Sequence, residues 1–198
     1  MYCTSDYLSP VGHVTLASEG ENLVGLWLEG QKYFGGTLPE KAFHPMETPV
    51  LHAAKDWLDR YFSGENPDPK ELPLHPMGSA FRQAVWHILL EIPYGAVTTY
   101  GAIAQRMAEK LGKPGMSAQA VGGAVGHNPI SIIIPCHRVV GADGSLTGYA
   151  GGIETKIALL RHEGVDLTDL YIPKRGTALA KSGGCEHPAG KEPAYGMG

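Results

Sequence analysis

The sequence predicts an α+β protein, in which an N-terminal antiparallel β-sheet and a helix precede a mainly helical domain that contains a helix-turn-helix. Short strand-like runs open the chain, and from residue 50 onward apolar residues recur mostly at helical spacing. The chain also holds 27 glycines and 15 prolines among 198 residues. Because these residues interrupt long helices, the composition excludes a coiled coil and a simple helical bundle.

The first domain is assigned to residues 1–78. Three strand-like runs separated by turn residues are typical of a β-meander: Tyr2–Tyr7, His13–Ser18 and Leu23–Leu28. Thr48 and Pro49 then supply an N-cap and a first-turn proline for a helix that ends at Ser63. Residues 64–78 contain four prolines, which predict an extended linker.

The second domain is assigned to residues 79–172. Apolar spacing, caps and stop signals predict four helices: Phe81–Ile92, Tyr100–Leu111, Ala118–Gly126 and Gly152–His162. The second and third of these form a helix-turn-helix candidate, although the turn between them exceeds the usual ~3–4 residues. Residues 130–134 are nearly all β-branched and predict a buried extended segment. Residues 173–198 are rich in glycine and poor in apolar side chains, so we expect a disordered tail.

Composition also limits where the protein works. No apolar run approaches the ~18–20 residues that span a bilayer, and the N-terminus does not resemble a signal peptide. The three cysteines, Cys3, Cys136 and Cys185, are odd in number and far apart, so they form neither a disulfide framework nor a paired zinc motif. We therefore expect a cytoplasmic protein with reduced thiols and no membrane partner.

Positive charge is concentrated in the middle of an otherwise acidic chain. Residues 79–138 carry five Lys and Arg against two Asp and Glu, whereas residues 1–78 carry five against eleven. A basic middle segment is compatible with a nucleic-acid surface, and a solvated helix surface without a partner explains it equally well.

Cys136 and His137 are the strongest chemical candidate in the sequence. A thiolate is the nucleophilic form of cysteine, and a neighbouring imidazole or the positive charge of Arg138 favours its formation. Neighbours in an extended segment face opposite sides, so a proton would then pass through a turn or a bridging water. A lone cysteine after an apolar run is more often an inert core residue, so the surrounding motifs decide between the two interpretations.

The motifs around this dipeptide form an ordered set. Residues 121–164 read VGGAVGHNPISIIIPCHRVVGADGSLTGYAGGIETKIALLRHEG, and FRQAVWHIL and IPYGAVTTYGAIA precede them. Over residues 79–167 this set closely resembles the O6-alkylguanine-DNA alkyltransferases, a family also called methylated-DNA–protein-cysteine methyltransferases. The PCHRV core matches the active-site signature of that family, whereas residues 1–78 resemble its variable β-rich domain more weakly.

The resemblance implies DNA repair by direct reversal, in which an alkyl group moves irreversibly and stoichiometrically from O6-alkylguanine or O4-alkylthymine to the protein. Cys136 matches the acceptor, His137 the base that acts through a water, and Glu163 the carboxylate that orients and charges that histidine. Such a relay is chemically coherent, because a carboxylate raises the basicity of an imidazole and fixes its tautomer.

Five further residues match positions that hold the substrate in this family. Tyr100 matches the tyrosine that donates a hydrogen bond to the flipped guanine, and Asn128 matches the hinge between the recognition helix and the active-site segment. The resemblance also implies that Val125 packs on the face of the base, while Tyr149 and the Ala150 amide line the pocket.

The implied partner is double-stranded DNA that contains alkylated guanine, bound by a monomer through the minor groove with the damaged base flipped out. DNA contact is assigned to Ala118, Gln119, Gly122 and Arg138. Gln119 departs from the family, which usually has an arginine at this point of the recognition helix. Glutamine hydrogen-bonds to the orphaned base but supplies no charge. Three basic residues are candidates to compensate: Arg106, Lys110 and Lys113.

The resemblance implies no cofactor. Some relatives carry a structural zinc ion in the N-terminal domain, but only Cys3 and His75 are suitably placed for one here. Two ligands fall short of the four that a structural zinc site needs, so we expect no metal.

Two alternatives from other functional classes stay open at this point. A protein that binds alkylated DNA without repairing it would share the helix-turn-helix and the pocket, but such relatives lack the acceptor cysteine. An unrelated cysteine hydrolase would use Cys136 and His137 in repeated turnovers, yet the sequence shows no nucleophile elbow.

Overall fold

The fold is that of a computed structural model, which describes residues 1–36, 38 and 43–173. The predicted disordered tail at residues 173–198 lies outside these residues, except for Pro173. Within the described part, no helix is long and apolar enough to cross a membrane.

A four-stranded sheet forms the N-terminal part of the protein. It contains β1 (Tyr2–Ser9), β2 (Gly12–Glu19), β3 (Asn22–Leu28) and β4 (Phe43–Pro45) in the order β3-β2-β1-β4. The first three strands pair antiparallel, as the turn pattern predicts, whereas β4 pairs parallel with β1. The α+β class is confirmed, but the sheet is mixed, because a three-residue strand is too short to give an alternating pattern in the sequence.

Helix α1 (Pro49–Phe62) packs against the first three strands of this sheet. Thr48 caps the helix, since its side chain accepts a hydrogen bond from the amide of Leu51 at 3.4 Å. The buried side chains of α1 recur at helical spacing and join the main core: Val50, Leu51, Ala54, Trp57, Leu58 and Tyr61.

The proline-rich residues 64–78 pack onto the sheet instead of forming the extended linker that the prolines predict. Pro69–Glu71 form a short 3₁₀ turn. Leu23 of β3 then donates to the carbonyl of Pro73 at 2.9 Å and accepts from the amide of His75 at 2.8 Å. Proline lacks an amide proton but keeps its carbonyl as an acceptor, so the segment can still pair with the edge of the sheet.

Four helices dominate the second part of the chain: α2 (Ala80–Leu90), α3 (Tyr100–Lys110), α4 (Ala118–Gly126) and α5 (Ile153–His162). Their bounds agree with the predicted ones to within two residues, because serine or threonine caps mark three of the N-termini. Helices α3 and α4 pack together as a helix-turn-helix requires. A short parallel pair joins β5 (Thr98–Thr99), just before α3, to β6 (Val139–Val140), just after residues 136–138.

Residues 130–134 are buried as predicted, but they form a compact turn and not an extended segment. The amide of Ile134 donates to the carbonyl of Ile130 at 3.0 Å, and Ile132 has a positive φ of 69°. A β-branched residue rarely adopts this conformation, so the surrounding packing must hold it. The turn directs the chain back towards α4, where Asn128 donates to the carbonyl of Ile134 at 2.8 Å.

One hydrophobic core runs through both parts of the chain. It combines residues of the sheet and α1 with residues of α2 to α5 and of the 130–134 turn. Trp86 of α2, which is 1% exposed, belongs to this core, and its indole nitrogen donates to the carbonyl of Ala124 in α4 at 2.9 Å. Shared packing therefore fixes α4 relative to the sheet.

Replacing Gly78 with alanine tests how closely the segment between the two parts packs against the ring of Trp86. A Cβ at position 78 would lie 2.4 Å from Cη2 of Trp86, closer than van der Waals contact permits. We expect Gly78→Ala to lower the free energy of unfolding by about 1–3 kcal/mol, because the packed ring must shift.

Gly115→Ala is the matched control, since its added Cβ would meet no atom within 4 Å. Its effect on the free energy of unfolding should stay within about 0.5 kcal/mol. Urea denaturation measures both variants, and equal stability of the two would contradict the packing described for Trp86.

Candidate active site

The candidate nucleophile lies in a short 3₁₀ turn, Cys136–Arg138, that follows Pro135. Cys136 is 4% exposed and belongs to the main core. The helical backbone of this turn replaces the extended segment considered above, in which neighbouring side chains point to opposite faces. Because solvent has little access to a thiol at this depth, its reaction partner must enter a pocket.

Asn128, just beyond the end of α4, holds the sulfur in place. Its Nδ2 atom donates to Sγ of Cys136 at 3.0 Å and to the carbonyl of Ile134 at 2.8 Å. Its Oδ1 atom accepts from the amide of Ile130 at 3.0 Å. The amide group thus uses both of its ends, and it ties the C-terminal end of α4 to the cysteine.

The surroundings of Cys136 favour the thiol over the thiolate. Burial raises the pKa of Cys136 above its usual range, whereas the Asn128 hydrogen bond and the positive charge of Lys156 act in the opposite direction. Burial is the larger effect, so the resting side chain is protonated at neutral pH. Formation of the nucleophile therefore needs a base close to the sulfur.

His137 is fully buried, and its Nε2 atom lies 2.6 Å from Oε1 of Glu163. Burial lowers the pKa of His137, although the hydrogen bond and the charge of Glu163 oppose this effect. A neutral imidazole beside a carboxylate carries its proton on Nε2, which leaves the lone pair on Nδ1. Among the described residues, Nδ1 has no hydrogen-bond partner. The imidazole is thus a base with one free acceptor nitrogen.

Glu163, at the C-terminal end of α5, is the charged group on which the site converges. Arg138 donates from Nε to Oε2 at 2.8 Å and from Nη2 to Oε1 at 3.1 Å. The hydroxyl of Tyr61 donates to Oε1 at 2.8 Å, and the amide of Gly95 donates to Oε2 at 3.3 Å. Burial alone would raise the pKa of Glu163, but the hydrogen bonds and charges of His137 and Arg138 outweigh it and lower the pKa to about 2.

Arg138 is turned inward, so the structure corrects its assignment to DNA contact. The residue is 8% exposed, and Nη1 donates to the carbonyl of Ile92 at 2.6 Å. Its guanidinium lies 5.7 Å from the ring centre of Tyr94, and its other two nitrogens bind Glu163. All three nitrogens are therefore engaged inside the protein. The physical reason is that a buried carboxylate requires a cation.

Tyr100 and Tyr149 lie close enough to Cys136 for the charge of a thiolate there to act on them. Burial and then Cys136 raise the pKa of Tyr100 to about 12, and the same two causes raise the pKa of Tyr149 well above its ordinary value. The Tyr100 hydroxyl donates to the carbonyl of Thr147 at 3.0 Å. The Tyr149 hydroxyl is buried and has no partner within the described part of the chain. Both hydroxyls therefore stay protonated at neutral pH.

Helix α4 presents a surface of small and polar residues above a buried side. Ala118 and Gln119 are exposed at its start, whereas Val125 is buried in the core. Gly122 is half-buried, and a Cβ there would lie 3.8 Å from the ring of Tyr100. A Cβ at Gly123 would meet no atom of the protein within 4 Å. The exposed side of the helix is thus open to close approach by another molecule.

A loop from the N-terminal part borders the same helix. The amide of Lys32 donates to the carbonyl of Ala150 at 3.0 Å, and the ring of Tyr33 stacks on His127 with 3.9 Å between the ring centres. These contacts enclose a groove of about 130 Å³ beside α4. No sequence motif indicates the loop, because its contacts join residues about a hundred positions apart.

Two buried residues of the site, Lys156 and Tyr61, are absent from the sequence-based prediction. Nζ of Lys156 donates to the carbonyls of Val139 at 2.5 Å and Thr147 at 3.0 Å, and burial lowers its pKa to about 8. A lysine in the apolar stripe of α5 is a signal that could have found it. Tyr61 gives no such signal, because it looks like an ordinary core residue of α1.

No metal centre is formed by the part of the chain that the structure describes. Within those residues, no group of three or more His, Cys, Asp and Glu side chains could hold an ion. Cys3, one of the two zinc candidates, is a buried free cysteine.

Acid unfolding tests the charge state of Glu163. Its carboxyl group has a pKa of about 2 in the folded protein against an ordinary 4.5, so between these pH values the unfolded chain binds a proton that the folded chain does not. The free energy of unfolding therefore falls as the pH decreases from about 5 to 2, and Glu163 accounts for about 3 kcal/mol of that loss.

Glu163→Gln should lose less stability over this range than the wild type, because its amide does not titrate. The control Glu154→Gln changes an exposed glutamate on the same helix and should keep the wild-type pH dependence. Urea denaturation at a series of pH values gives the comparison. An identical pH dependence in all three proteins would contradict a charged Glu163.

The chain matches two family models over most of its length. The model described as 6-O-methylguanine DNA methyltransferase, ribonuclease-like domain, matches residues 1–76, and the DNA binding domain of the same description matches residues 80–165. The methylated-DNA–protein-cysteine methyltransferase of Haemophilus influenzae is 43% identical over 164 residues, which cover 82% of this chain and 87% of that protein. Its namesake from Mycobacterium tuberculosis is 45% identical over 155 residues, which cover 78% and 88%.

Solved structures agree with these matches. The Mycobacterium tuberculosis OGT in complex with DNA has a TM-score of 0.68 and 44% identity, over 82% of this chain and 91% of that one. The O6-methylguanine-DNA methyltransferase of Pyrococcus kodakaraensis has a TM-score of 0.55 and 25% identity, over 83% and 100%. Because the two family models span both parts of the fold and the relatives align over most of their own length, this chain belongs to the O6-methylguanine-DNA methyltransferase family, the methylated-DNA–protein-cysteine methyltransferases.

Proposed function

We propose that this protein repairs DNA by direct reversal, and that Sγ of Cys136 accepts the alkyl group of O6-alkylguanine or O4-alkylthymine. The observation that carries the proposal is the buried pair of His137 and Glu163 next to a protonated thiol. This arrangement supplies a base to a nucleophile that lacks one, away from bulk water. The names of the relatives describe the same transfer, from methylated DNA to a protein cysteine.

The transfer begins when the thiol of Cys136 gives its proton to Nδ1 of His137 through a bridging water. Glu163 stabilises the resulting imidazolium, because its carboxylate accepts from Nε2 at 2.6 Å. The thiolate attacks the alkyl carbon opposite O6, so a carbon–sulfur bond forms and the carbon–oxygen bond breaks, leaving its electron pair on O6. The departing guanine takes up one proton. A hydrogen bond from the Tyr100 hydroxyl, which otherwise goes to Thr147, offsets the charge that develops on the base.

The product of this step is a thioether. Unlike the thioester of a cysteine hydrolase, a thioether has no electrophilic carbonyl for water to attack. His137 and Glu163 generate the thiolate but have no means of releasing the alkyl group from Cys136. Each molecule therefore accepts one alkyl group and is not regenerated.

Helix α4 enters the minor groove in this proposal, while the damaged nucleotide rotates out of the duplex towards Cys136. The exposed side of α4 supports this docking, because neither packing nor a positive φ requires the glycine at Gly123. Asn128 links the same helix to the sulfur, so contact with DNA and the position of the nucleophile are coupled. A monomer suffices for this reaction, since each group named above comes from one chain.

Gln119 leaves base extrusion without the cation that the family usually provides. Two of the three candidates for compensation, Arg106 and Lys110, both pair with Glu91. Glu91 offsets only part of this charge, so the group stays net positive, but both side chains belong to α3 and not to α4, which carries Gln119. Extrusion is therefore the step at which this protein should be slow.

Reaction with a methylated duplex tests the acceptor and the stoichiometry together. We expect the intact mass of the protein to rise by one methyl group, which peptide mapping locates on Cys136. Conversion of O6-methylguanine to guanine within excess duplex should stop near one per active molecule, because the thioether on Cys136 is not hydrolysed. Several turnovers per molecule would instead favour a hydrolase.

Cys136→Ser is the control for binding without transfer. It should transfer nothing, because a hydroxyl is a far poorer nucleophile than a thiolate at neutral pH. Its affinity for the alkylated duplex, measured by fluorescence anisotropy, should stay near the wild-type value. Collapse of affinity together with activity would make Cys136 a structural residue.

Gln119→Arg should speed alkyl transfer from duplex DNA several-fold, because a guanidinium both stacks in the vacated space and pairs with phosphate. Its rate should also depend more steeply on salt, with the slope of log rate against log salt increasing by about one. Transfer from free O6-alkylguanine base, which needs no extrusion, should hardly change. The exposed Gln105→Arg on α3 adds the same charge elsewhere. An equal effect of Gln119→Arg on both substrates would show that residue 119 does not act through extrusion.

A further inference from the structure

One buried hydroxyl of the site has no part in the mechanism above. Tyr61 comes from α1, in the N-terminal part of the chain, is 1% exposed, and donates to Oε1 of Glu163 at 2.8 Å. We propose that Tyr61 is a positioning residue for alkyl transfer. Its hydrogen bond to Glu163 weakens the stabilisation that this carboxylate gives to protonated His137. This inference rests on the proposed function, because it takes His137 as the base of that reaction.

Tyr61 and His137 compete for the same carboxylate oxygen. Oε1 of Glu163 accepts from Tyr61 at 2.8 Å, from His137 at 2.6 Å and from Arg138 at 3.1 Å. A carboxylate oxygen has two lone pairs, so three donors must share its negative charge. Without the Tyr61 hydroxyl, more of that charge faces His137. The imidazolium is then more stable, and His137 serves as a base only at higher pH.

The position of the Tyr61 hydroxyl is fixed by its neighbours. Its ring stacks on Trp57 with 5.5 Å between the ring centres. It also packs edge-to-face against the ring of Tyr94, with 6.0 Å between the ring centres. Its backbone carbonyl accepts from Nε2 of His162 at 2.7 Å, so the same turn of α1 holds the residue before Glu163. Burial and the charge of Glu163 raise the pKa of Tyr61 far above its ordinary value. The hydroxyl is therefore a permanent donor with one orientation.

Other ionisable groups also face Glu163 and His137, and the variants used in a test must leave the charges of these groups unchanged. They come from the 3₁₀ turn, from α5 and from the loops after α2 and before α5: Cys136, Arg138, Lys156, His162, Tyr94 and Tyr149. Arg138 and Lys156 both lower the pKa of His137, whereas Glu163 raises it. The effect of Tyr61 on the histidine is thus transmitted by Glu163.

This contact also crosses the boundary between the two parts of the chain. Helix α1 belongs to the segment matched by the ribonuclease-like model, whereas Glu163 belongs to the segment matched by the DNA binding model. The N-terminal part therefore contributes directly to the acid–base properties of the site, in addition to its packing against the core.

The pH dependence of methyl transfer from a methylated duplex to Cys136 tests the inference. Tyr61→Phe keeps the ring and removes the hydroxyl, so we expect the acidic limb of the rate profile to move up by about half a pH unit or more. Tyr94→Phe is the matched control, because it removes a neighbouring hydroxyl that donates to the carbonyl of His162 at 3.3 Å and not to Glu163. Its acidic limb should coincide with that of the wild type.

A ring-fluorinated tyrosine at position 61 keeps the test decisive if Tyr61→Phe does not fold. Fluorine makes the hydroxyl a stronger donor to Glu163, so the acidic limb should move to lower pH. A limb that coincides with the wild type in either variant, whatever its thermal stability, would overturn the inference alone. Absence of transfer by the wild-type protein would overturn the proposed function, and this inference with it.

Discussion

Glu163 keeps a negative charge in the interior of the protein, and this charge governs the arrangement of the groups around it. An uncompensated buried carboxylate is too costly to maintain, so donors have to converge on it from several elements. They come from α1, from the loop after α2 and from the turn that contains Cys136. Elements that are far apart in the sequence are thereby locked around one group, and the ring of His137 is oriented as part of the same network.

A second polar residue, Asn128, holds the sulfur itself, since its Nδ2 atom donates to Sγ of Cys136. Asn128 fixes the thiol relative to α4, and Glu163 fixes the base relative to α5. Because Cys136 and His137 are adjacent in the chain, a single 3₁₀ turn connects the two anchors. The candidate nucleophile and its proposed base are thus held by different helices, although one peptide bond joins them. The function proposed for this short motif therefore depends on a much larger framework.

Features that depend on local chemistry could be predicted from the sequence, whereas features that depend on distant partners could not. The bounds of α4 follow from its serine cap and apolar spacing. Residues 130–134 have the composition of a strand but form a turn, because Asn128 binds the backbone at both ends of the segment and two further hydrogen bonds close within it. The ordered motifs led to Cys136, His137 and Glu163, yet the inward orientation of Arg138 and the contact of Tyr61 across 102 positions leave no periodic trace.

The continuous core that joins the sheet to the helices bears on which partner, protein or duplex, is deformed in the proposed reaction. A shared core and a shared carboxylate leave α1 and α5 little freedom to move apart. In the proposed reaction such a protein does not close around a base, so extrusion of the damaged base would distort the duplex instead. Base pairs that alkylation has weakened open at lower cost than intact pairs. Under that proposal, discrimination between damaged and normal guanine begins with the stability of the base pair, before any side chain contacts the lesion.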